Sequence, residues 1–378
     1  MKVALVHDYL KEYGGAERVV EALHEIWPKA PIYTTVYAPS FLGPHRERVN
    51  QWDIRPSILQ YVPFKEKLLS PFRLVAPMIF KLWDFSQYDV VIVSAAGTYT
   101  SPNLIKTKPG TIHLCYCHTP PRYLYGYPTA APWDEVKWRK VLKVFGQIPM
   151  HFLRMIDFQA AQKVDFFIAN SKNTASRIQK FYRREATVIY APVDISFKQL
   201  TISPQRSNYF LAGGRLARPK RVDLAILACN QLKIPLKVFG RAFAGYGEEL
   251  KQMAGSTVEF LGEVTDEVKT KLLAGCRAYI FPAEEEDFGI SPVEAMAAGR
   301  PVIALRQGGV LETIIEGKTG EFFNEPTVES LVRILEKFNP KKYRPQDCRK
   351  QAEKFSKERF KREIKEFVKE KWKKKQSR

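Results

Sequence analysis

The chain has 378 residues, of which 45% are hydrophobic and 26% charged, the composition of a globular protein long enough for two domains. Prolines and charged residues interrupt the longest apolar stretch, 68–83, and the first eight residues predict a buried strand, so we expect neither a transmembrane helix nor a signal peptide. Five cysteines, an odd number, indicate reduced thiols and a cytoplasmic protein. The net charge of +20 points to an anionic partner, which could be a nucleic acid, an anionic membrane or a polyanionic substrate.

Short apolar stretches alternate with helical patterns twice along the chain. In the first half the predicted strands are 3–7, 32–36, 90–93, 111–117, 165–169 and 187–190, and the helices include 16–27 and 172–181. In the second half the strands are 209–212, 236–239, 258–261, 278–281 and 302–304, and the helices include 222–232 and 266–274. Such alternation predicts parallel sheets covered by helices on both faces.

We therefore expect an α/β protein with two Rossmann-like domains, 1–195 and 206–355, that face each other across a cleft. A stretch with two prolines and no periodicity, 191–206, predicts the linker between them. The charged stretch 349–378 predicts a helix, and its basic part, 356–378, is expected to return to the N-terminal domain. Its apolar residues recur at helical spacing, at Phe360, Ile364, Phe367 and Val368.

Two glycine-containing loops follow the first predicted strand of each half. Gly14 and Gly15 open the first helix, where backbone N–H groups and the helix N-terminus favour a phosphate, although a tight turn alone explains them equally well. In the second half, Arg215 and Lys220 stand five residues apart across a loop that contains Pro219. This spacing can bring two cations to one diphosphate, and a solvated basic loop is the alternative.

A third candidate segment joins a predicted strand to a helix near residue 290. Gly289 permits a tight loop, and the sequence predicts Ser291 as the N-cap and Pro292 as the first residue of the helix. Glu294, three residues after Ser291, fits a capping box, and Glu286 fits a solvated acidic loop. Either carboxylate can also accept a hydrogen bond from a ligand hydroxyl.

His118 follows the predicted strand 111–117, with Cys115 and Cys117 just ahead of it. Cys-x-Cys-His is one pattern of a metal site, but the sequence contains no second ligand cluster with zinc spacing and no Asp-x-Asp motif. The acidic run 284–287 is the remaining candidate for a cation. We therefore predict no metal.

Together these segments resemble the family 4 retaining glycosyltransferases, which share the GT-B architecture. The clearest match is Glu286 with Glu294, which resembles that family's pair of glutamates separated by seven residues. The resemblance covers nearly the whole chain and is strongest from 208 to 323. The segments 116–123 and 189–194 are most similar to a subgroup that includes O-antigen mannosyltransferases. The segments 281–304, 308–312, 317–320 and 260–264 are also similar to the family.

One loop departs from the family pattern. Many members carry Gly-x-Gly after the second strand of the C-terminal domain, and this chain keeps only the first glycine, Gly240. Since that loop helps to shape the nucleotide pocket in the family, the identity of the base is the part that the resemblance leaves open.

The resemblance implies transfer of a hexose from a nucleotide-diphosphate sugar, with mannose from GDP-mannose favoured, and retention of anomeric configuration. No metal is needed in this interpretation, since Arg215 and Lys220 can neutralise the diphosphate, and no cofactor is expected. The acceptor would be a glycan or a lipid-linked molecule in cell-surface polysaccharide synthesis. The implied roles are diphosphate binding by Arg215, Lys220, Gly14 and Gly15, donor-sugar binding by Glu286, Phe288, Gly289 and Ile290, ribose binding by Glu294, and catalysis by Glu286 and His118.

The basic charge remains to be assigned. Basic and aromatic residues alternate in 64–83 and 133–145, which fits either a solvated surface over core aromatics or peripheral docking on the inner face of an anionic membrane. No helix-turn-helix, RNA-recognition or zinc-finger pattern supports nucleic-acid binding. A catalytically silent nucleotide-sugar sensor is disfavoured, because both glutamates and both cations are present.

Overall fold

The computed structural model describes residues 1–129, 137–195 and 208–376, and the side chains of all of these except 137–147. The described chain divides into two compact units. Of the described residues, the first unit contains 1–127, 137–192 and 358–376, and the second contains 128–129, 193–195 and 208–357. The predicted linker therefore lies partly outside the described residues.

The first unit is built on a parallel sheet with the strand order β3-β2-β1-β4-β5-β6-β7. Its strands are β1 (Val3–His7), β2 (Ile32–Thr34), β3 (Ile54–Pro56), β4 (Val90–Ala95), β5 (Ile112–Cys117), β6 (Phe166–Ala169) and β7 (Ala186–Val188). The central strands β1, β4 and β5 are buried along their whole length, as expected for a parallel sheet covered on both faces. Strand β3, an exposed edge strand that ends in proline, was not predicted from the sequence.

Helices connect these strands. The helices of the first half are α1 (Gly15–Ile26), α2 (Arg46–Val49), α3 (Phe72–Leu82), α4 (Arg122–Tyr125), α5 (Lys137–Gln162) and α6 (Lys172–Tyr182). The two glycines open the first helix as predicted, and α1 begins at Gly15, one residue before the predicted start, with Gly14 as its N-cap. None of the helices in the described part of the chain is both long and apolar enough to cross a membrane.

The second unit has a parallel sheet with the order β10-β9-β8-β11-β12-β13. Its strands are β8 (Phe210–Gly213), β9 (Leu236–Phe239), β10 (Val258–Gly262), β11 (Tyr279–Phe281), β12 (Val302–Leu305) and β13 (Gly320–Phe323). Its helices are α7 (Val222–Leu232), α8 (Tyr246–Met253), α9 (Asp266–Gly275), α10 (Ile290–Ala297), α11 (Val310–Thr313), α12 (Val328–Lys337) and α13 (Pro345–Glu353). Strand β13 was not predicted from the sequence, because it is short and begins with a glycine, a poor strand residue.

The C-terminal stretch forms two helices where one was predicted. Helix α13 ends at Glu353, and α14 (Lys357–Gln376) follows after a short break. The four predicted apolar residues of α14 are buried. Within the first unit, Phe360 packs edge-on against Tyr116 with ring centroids 5.6 Å apart, and Lys375 forms an ion pair of 2.9 Å with Asp165.

A buried carboxyl group in the first unit supplies a pH-dependent prediction. Asp157 accepts hydrogen bonds from the Ser101 N–H, the Tyr125 hydroxyl and the Tyr182 hydroxyl. Burial raises the pKa of Asp157 to about 6, against the opposing effect of these donors. Because this pKa lies above its value in the unfolded chain, the neutral acid stabilises the fold below about pH 4, and that contribution is lost as the pH rises through 6.

We therefore expect Asp157→Asn to remove a pH-dependent part of the stability. The free energy of unfolding of the parent should fall by up to about 3 kcal/mol more than that of the variant between pH 4 and pH 7. Urea unfolding of both proteins across this range measures the difference. Parallel pH profiles would show that Asp157 titrates as it does in the unfolded chain.

Candidate functional site

The loops that follow β8 and β9 pack tightly against each other in the second unit. Gly240 has φ +125°, and a Cβ atom there would lie 1.7 Å from the carbonyl oxygen of Gly214. A side chain at Gly213 would also lie 2.3 Å from the carbonyl oxygen of Phe239. The one glycine that this chain retains from the family's Gly-x-Gly pattern is therefore required by close backbone contact.

Both predicted diphosphate cations lie on the loop after β8. The guanidinium carbon of Arg215 lies 4.3 Å from the centroid of the Phe243 ring. Lys220, at the end of a short 3₁₀ turn, donates a hydrogen bond from Nζ to Glu286 Oε2. Thus the structure brings together a predicted phosphate-binding cation and the predicted donor-sugar carboxylate.

The acidic run 284–287 contacts basic side chains. Besides the Lys220–Glu286 pair, Arg221 donates to Glu284 and to Asp223. No role was predicted from the sequence for Arg221 or Asp223. Among the residues that the structure describes, no cluster of histidine, cysteine or acidic side chains is placed to hold a metal ion.

Glycines hold the backbone of the loop that carries Glu286. The carbonyl oxygen of Glu286 accepts a hydrogen bond of 2.8 Å from the Gly309 N–H. A Cβ atom at Gly308, where φ is +74°, would lie 2.4 Å from that oxygen, and one at Gly309 would lie 2.3 Å from the Asp287 carbonyl oxygen. The Gly308–Gly309 pair therefore fixes the position of Glu286 through backbone contact.

The predicted cap of α10 is wrong. The N-cap is Gly289, with φ 89°, and the helix begins at Ile290 without a side-chain cap. Ser291 and Pro292 thus lie inside the first turn, where a proline is tolerated because the N–H that it lacks has no partner within the helix. With the left-handed conformation of Gly289 the helix starts two residues earlier than it would with Ser291 as the cap.

Glu294 pairs with a lysine instead of completing a capping box. It is 3% exposed, and its Oε1 accepts a hydrogen bond of 2.9 Å from Lys269 Nζ. The same lysine lies 3.1 Å from Asp266.

Phe288 is also buried and packs edge-on against Phe355, so a contact with the donor sugar would have to come from its backbone. Ile290 is half-buried.

In the first unit, Gly14 donates its N–H to Glu17 Oε2 at 2.8 Å, while Gly15 is exposed at the start of α1. His118 follows β5 and is buried, with Nε2 2.9 Å from Ser94 Oγ. Burial, together with the neighbouring His7, lowers the pKa of His118 to about 3. His118 is therefore neutral at physiological pH.

Family models match both halves of the chain. Residues 195–355 match the model described as glycosyl transferases group 1, and residues 13–197 match glycosyltransferase family 4. The chain belongs to the family 4 glycosyltransferases. The family predicted from the sequence is thereby confirmed, and the enzyme is a hexosyltransferase.

Relatives and solved structures agree with this assignment. The enzyme is 27% identical to the mouse α-1,3/1,6-mannosyltransferase ALG2, covering 86% of this chain and 84% of the relative, and 27% identical to ALG2 of Dictyostelium discoideum, covering 70% of each. It shares its fold with HepE of Anabaena in complex with UDP and glucose (TM-score 0.67, 20% identity, 98% of this chain and 99% of the other). Sucrose-phosphate synthase of Thermosynechococcus elongatus also shares it (TM-score 0.70, 16% identity, 98% and 99%). The predicted GT-B fold with two Rossmann-like domains is confirmed.

The buried pair of this glycosyltransferase, Glu294 and Lys269, gives a prediction about stability. Glu294→Gln keeps an acceptor oxygen but removes the buried charged partner of Lys269 and leaves only the more exposed Asp266, so we expect the free energy of unfolding to fall by about 1–3 kcal/mol. If Glu294 also binds the donor ribose, KM for the donor rises while kcat changes little.

The matched control is Asp266→Asn, which removes the more exposed partner of the same lysine and should cost less than about 1 kcal/mol. Chemical denaturation and steady-state kinetics on both variants supply the data. A stability loss with an unchanged KM would make Glu294 a structural residue alone, and equal stability of parent and Glu294→Gln would contradict the buried pair.

Proposed function

We propose that this enzyme transfers mannose from GDP-mannose, with retention of configuration, to a glycan or lipid-linked acceptor in the synthesis of a cell-surface polysaccharide. The observation that carries the proposal is the contact between Lys220 and Glu286. It places a cation suited to a diphosphate beside a carboxylate suited to sugar hydroxyls, within one hydrogen bond of each other.

The position of this contact in the sheet supports ligand binding. In the order β10-β9-β8-β11-β12-β13, the direction of winding reverses between β8 and β11. Lys220 lies on the segment after β8, and Glu286 lies on the loop after β11. Ligands of open α/β sheets bind at the carboxyl ends of the strands beside such a reversal.

The charges fit the departure of a nucleoside diphosphate. Negative charge grows on the leaving diphosphate while positive character grows on the anomeric carbon, so cations and backbone N–H groups that face the diphosphate lower the barrier. In the proposal, Arg215 and Lys220 stabilise the diphosphate, and Glu286 binds hydroxyl groups of the sugar. Lys220 exchanges its contact with Glu286 for a shared contact with the donor. No side chain is assigned as a covalent nucleophile, and the departing phosphate serves as the base.

Mannose is favoured by the relatives, since both ALG2 proteins named above are mannosyltransferases. A glucose donor is the alternative, because HepE was solved with UDP and glucose. Protection against thermal unfolding by GDP-mannose, UDP-glucose, UDP-N-acetylglucosamine and dTDP-rhamnose distinguishes them. A donor at 100 times its Kd should stabilise the fold by about 2.7 kcal/mol.

We expect GDP-mannose to protect the parent and to protect Lys220→Ala less. Protection by UDP-glucose with none by GDP-mannose would overturn the donor assignment. Protection by GDP-mannose without turnover in the presence of lipid-linked glycans would favour the nucleotide-sugar sensor.

The proposed place of action is an anionic membrane surface. Helix α3 buries Phe72 and Phe80, whereas its opposite face is exposed and apolar. The exposed residues of that face are Leu74, Val75, Met78 and Leu82. The stretch 58–83 carries four basic residues and a single acidic one. An apolar face beside basic side chains fits docking in the interface of an anionic bilayer. The second predicted stretch, 133–145, lies outside the described side chains.

Vesicle sedimentation tests this surface. The parent should bind vesicles that contain phosphatidylglycerol, bind neutral phosphatidylcholine vesicles weakly, and lose affinity as salt is added. Met78→Ser with Leu82→Ser should lower the affinity at least about 10-fold, because each side chain contributes roughly 1.5–3 kcal/mol when buried in the bilayer. Leu311→Ser, which removes an exposed leucine of the second unit, is the control. Equal binding to neutral and anionic vesicles would contradict electrostatic docking, and salt-resistant binding to RNA alone would favour the nucleic-acid alternative.

A further inference from the structure

Four buried polar side chains form a continuous chain of contacts in the first unit. They come from the first turn of α1, the end of β1, β4 and the residue after β5, and they are Glu17, His7, Ser94 and His118. The sheet order reverses between β1 and β4, where His7 and Ser94 are paired in register. These four side chains therefore lie at the ligand-binding edge of this sheet.

We infer that Glu17, His7 and Ser94 are positioning residues that fix the proton of His118 on Nδ1. The neutral His118 ring then donates a hydrogen bond from Nδ1 to the nucleotide sugar. We call these three residues the His7 relay. The inference rests on the proposed function only for the ligand that His118 meets. The position of the proton follows from the contacts themselves.

His7 contacts Ser94 and Glu17 through its two ring nitrogens. Its Nδ1 lies 3.0 Å from the carbonyl oxygen of Ser94, which can only accept, so Nδ1 carries a proton and donates it. Its Nε2 lies 3.5 Å from Glu17 Oε1, an ion-pair distance. Burial opposes a charge on His7, but the carboxylates of Glu17 and Asp8 raise the pKa of His7 above its ordinary value. The titratable groups that face His7 are thus Glu17, Asp8 and His118.

The hydroxyl of Ser94 lies between the rings of His7 and His118. Ser94 Oγ lies 3.2 Å from the protonated Nδ1 of His7, so a lone pair of the hydroxyl faces that N–H. Among the described residues the partners of this buried hydroxyl are His7 Nδ1 and His118 Nε2, so its proton has an acceptor only if it points away from His7, towards His118 Nε2 at 2.9 Å. His118 Nε2 accepts this hydrogen bond and carries no proton. Since a neutral imidazole has one N–H, the proton of His118 lies on Nδ1.

Glu17 links the same chain to the glycine turn. Its second oxygen, Oε2, accepts the N–H of Gly14, the N-cap of α1. One carboxylate therefore holds both the His7 ring and the turn that precedes Gly15. Because the other oxygen faces His7, a change in Glu17 should alter the tautomer of His118 and the position of the turn together.

Nitrogen-15 NMR of the imidazole rings tests the tautomer without any substrate. The chain has six histidines, and His118→Gln identifies the signals of His118. We expect the parent to show His118 protonated at Nδ1 and bare at Nε2. In Ser94→Ala the hydrogen bond to Nε2 is gone, so a mixture of the two tautomers should appear, while Ser94→Thr, which keeps the hydroxyl, should retain the parent pattern.

Kinetics give the second readout. Ser94→Ala should lower kcat about 10-fold or more with a smaller change in KM for the donor, because a misplaced proton weakens an interaction made in the transition state. Ser94→Thr should recover most of the loss. Melting curves of both variants identify any loss that comes from unfolding, and His7→Gln, which keeps a donor group towards Ser94, provides a second substitution in the relay.

Each outcome decides the inference. A proton on Nε2 of His118 in the parent, or an unchanged tautomer in Ser94→Ala, would overturn it. Equal losses of kcat in Ser94→Ala and Ser94→Thr with the same tautomer would show a packing role instead. The expected tautomers in a protein that turns over none of the four donors would support the relay and contradict the proposed function.

Discussion

Glu286→Gln should lower kcat for sugar transfer at least about 100-fold, with a much smaller change in donor affinity. Glutamine keeps the size of the side chain and one acceptor oxygen, but it removes the charge that the proposed mechanism places beside the anomeric centre. That charge matters most when positive character develops on the sugar. It also holds Lys220 in the ligand-free enzyme, so its loss frees this lysine for the diphosphate and preserves binding.

Single-turnover and steady-state kinetics, with calorimetric titration of the donor, separate these effects. The control is Glu285→Gln, one residue away, whose carboxylate accepts from Gln307 and has no proposed part in the reaction. A parent-like kcat in Glu286→Gln would remove the main residue from the proposed mechanism and would favour the sensor function.

Lys220→Ala and Arg215→Ala should each weaken the binding of GDP by roughly 1.5–3 kcal/mol, a loss of about 10-fold to 100-fold in affinity. Lys220→Ala should have the larger effect, because it also leaves the carboxylate of Glu286 without its cation beside an anionic ligand. Arg215 is held against the Phe243 ring, so its removal should cost the phosphate contact with little effect on the loop.

Arg218→Ala is the matched control on the same loop, since Arg218 pairs with Glu249 and should change GDP affinity less than about 2-fold. GMP supplies a second control, because it lacks the β-phosphate and should be less affected by either substitution. Calorimetric titration measures all of these affinities. Parent-like binding of GDP by both variants would show that the cations bind something other than the diphosphate.

The sequence predicted elements best where periodicity and buried apolar runs dominate. The bounds of β1, β9 and α7 agree with the prediction to the residue, and the strand–helix alternation gave the two Rossmann-like domains. The start of α10 was misplaced because a serine followed by proline is a common helix start, whereas the left-handed backbone at Gly289 sets the start here. Local preference was overridden by the loop that the helix follows.

The partners of the site residues could not be predicted, since they come from distant parts of the chain. Lys220 and Glu286 are 66 residues apart, and His7 and Ser94 are 87 apart. Residue types and spacing indicated that the cations and carboxylates belong to a site. Which cation meets which carboxylate follows from sheet order, and only the folded chain shows it.

The most direct test of retaining mannosyl transfer is the hydrolysis of GDP-α-mannose by the enzyme. Proton NMR gives the configuration of the mannose that is released first, before the two anomers equilibrate. Because family 4 enzymes retain the anomeric configuration, we expect α-mannose to appear first. The parent and Glu285→Gln should form it, whereas Glu286→Gln should not. Release of β-mannose first would contradict retention. Turnover of UDP-glucose with none of GDP-mannose would contradict the mannosyl donor.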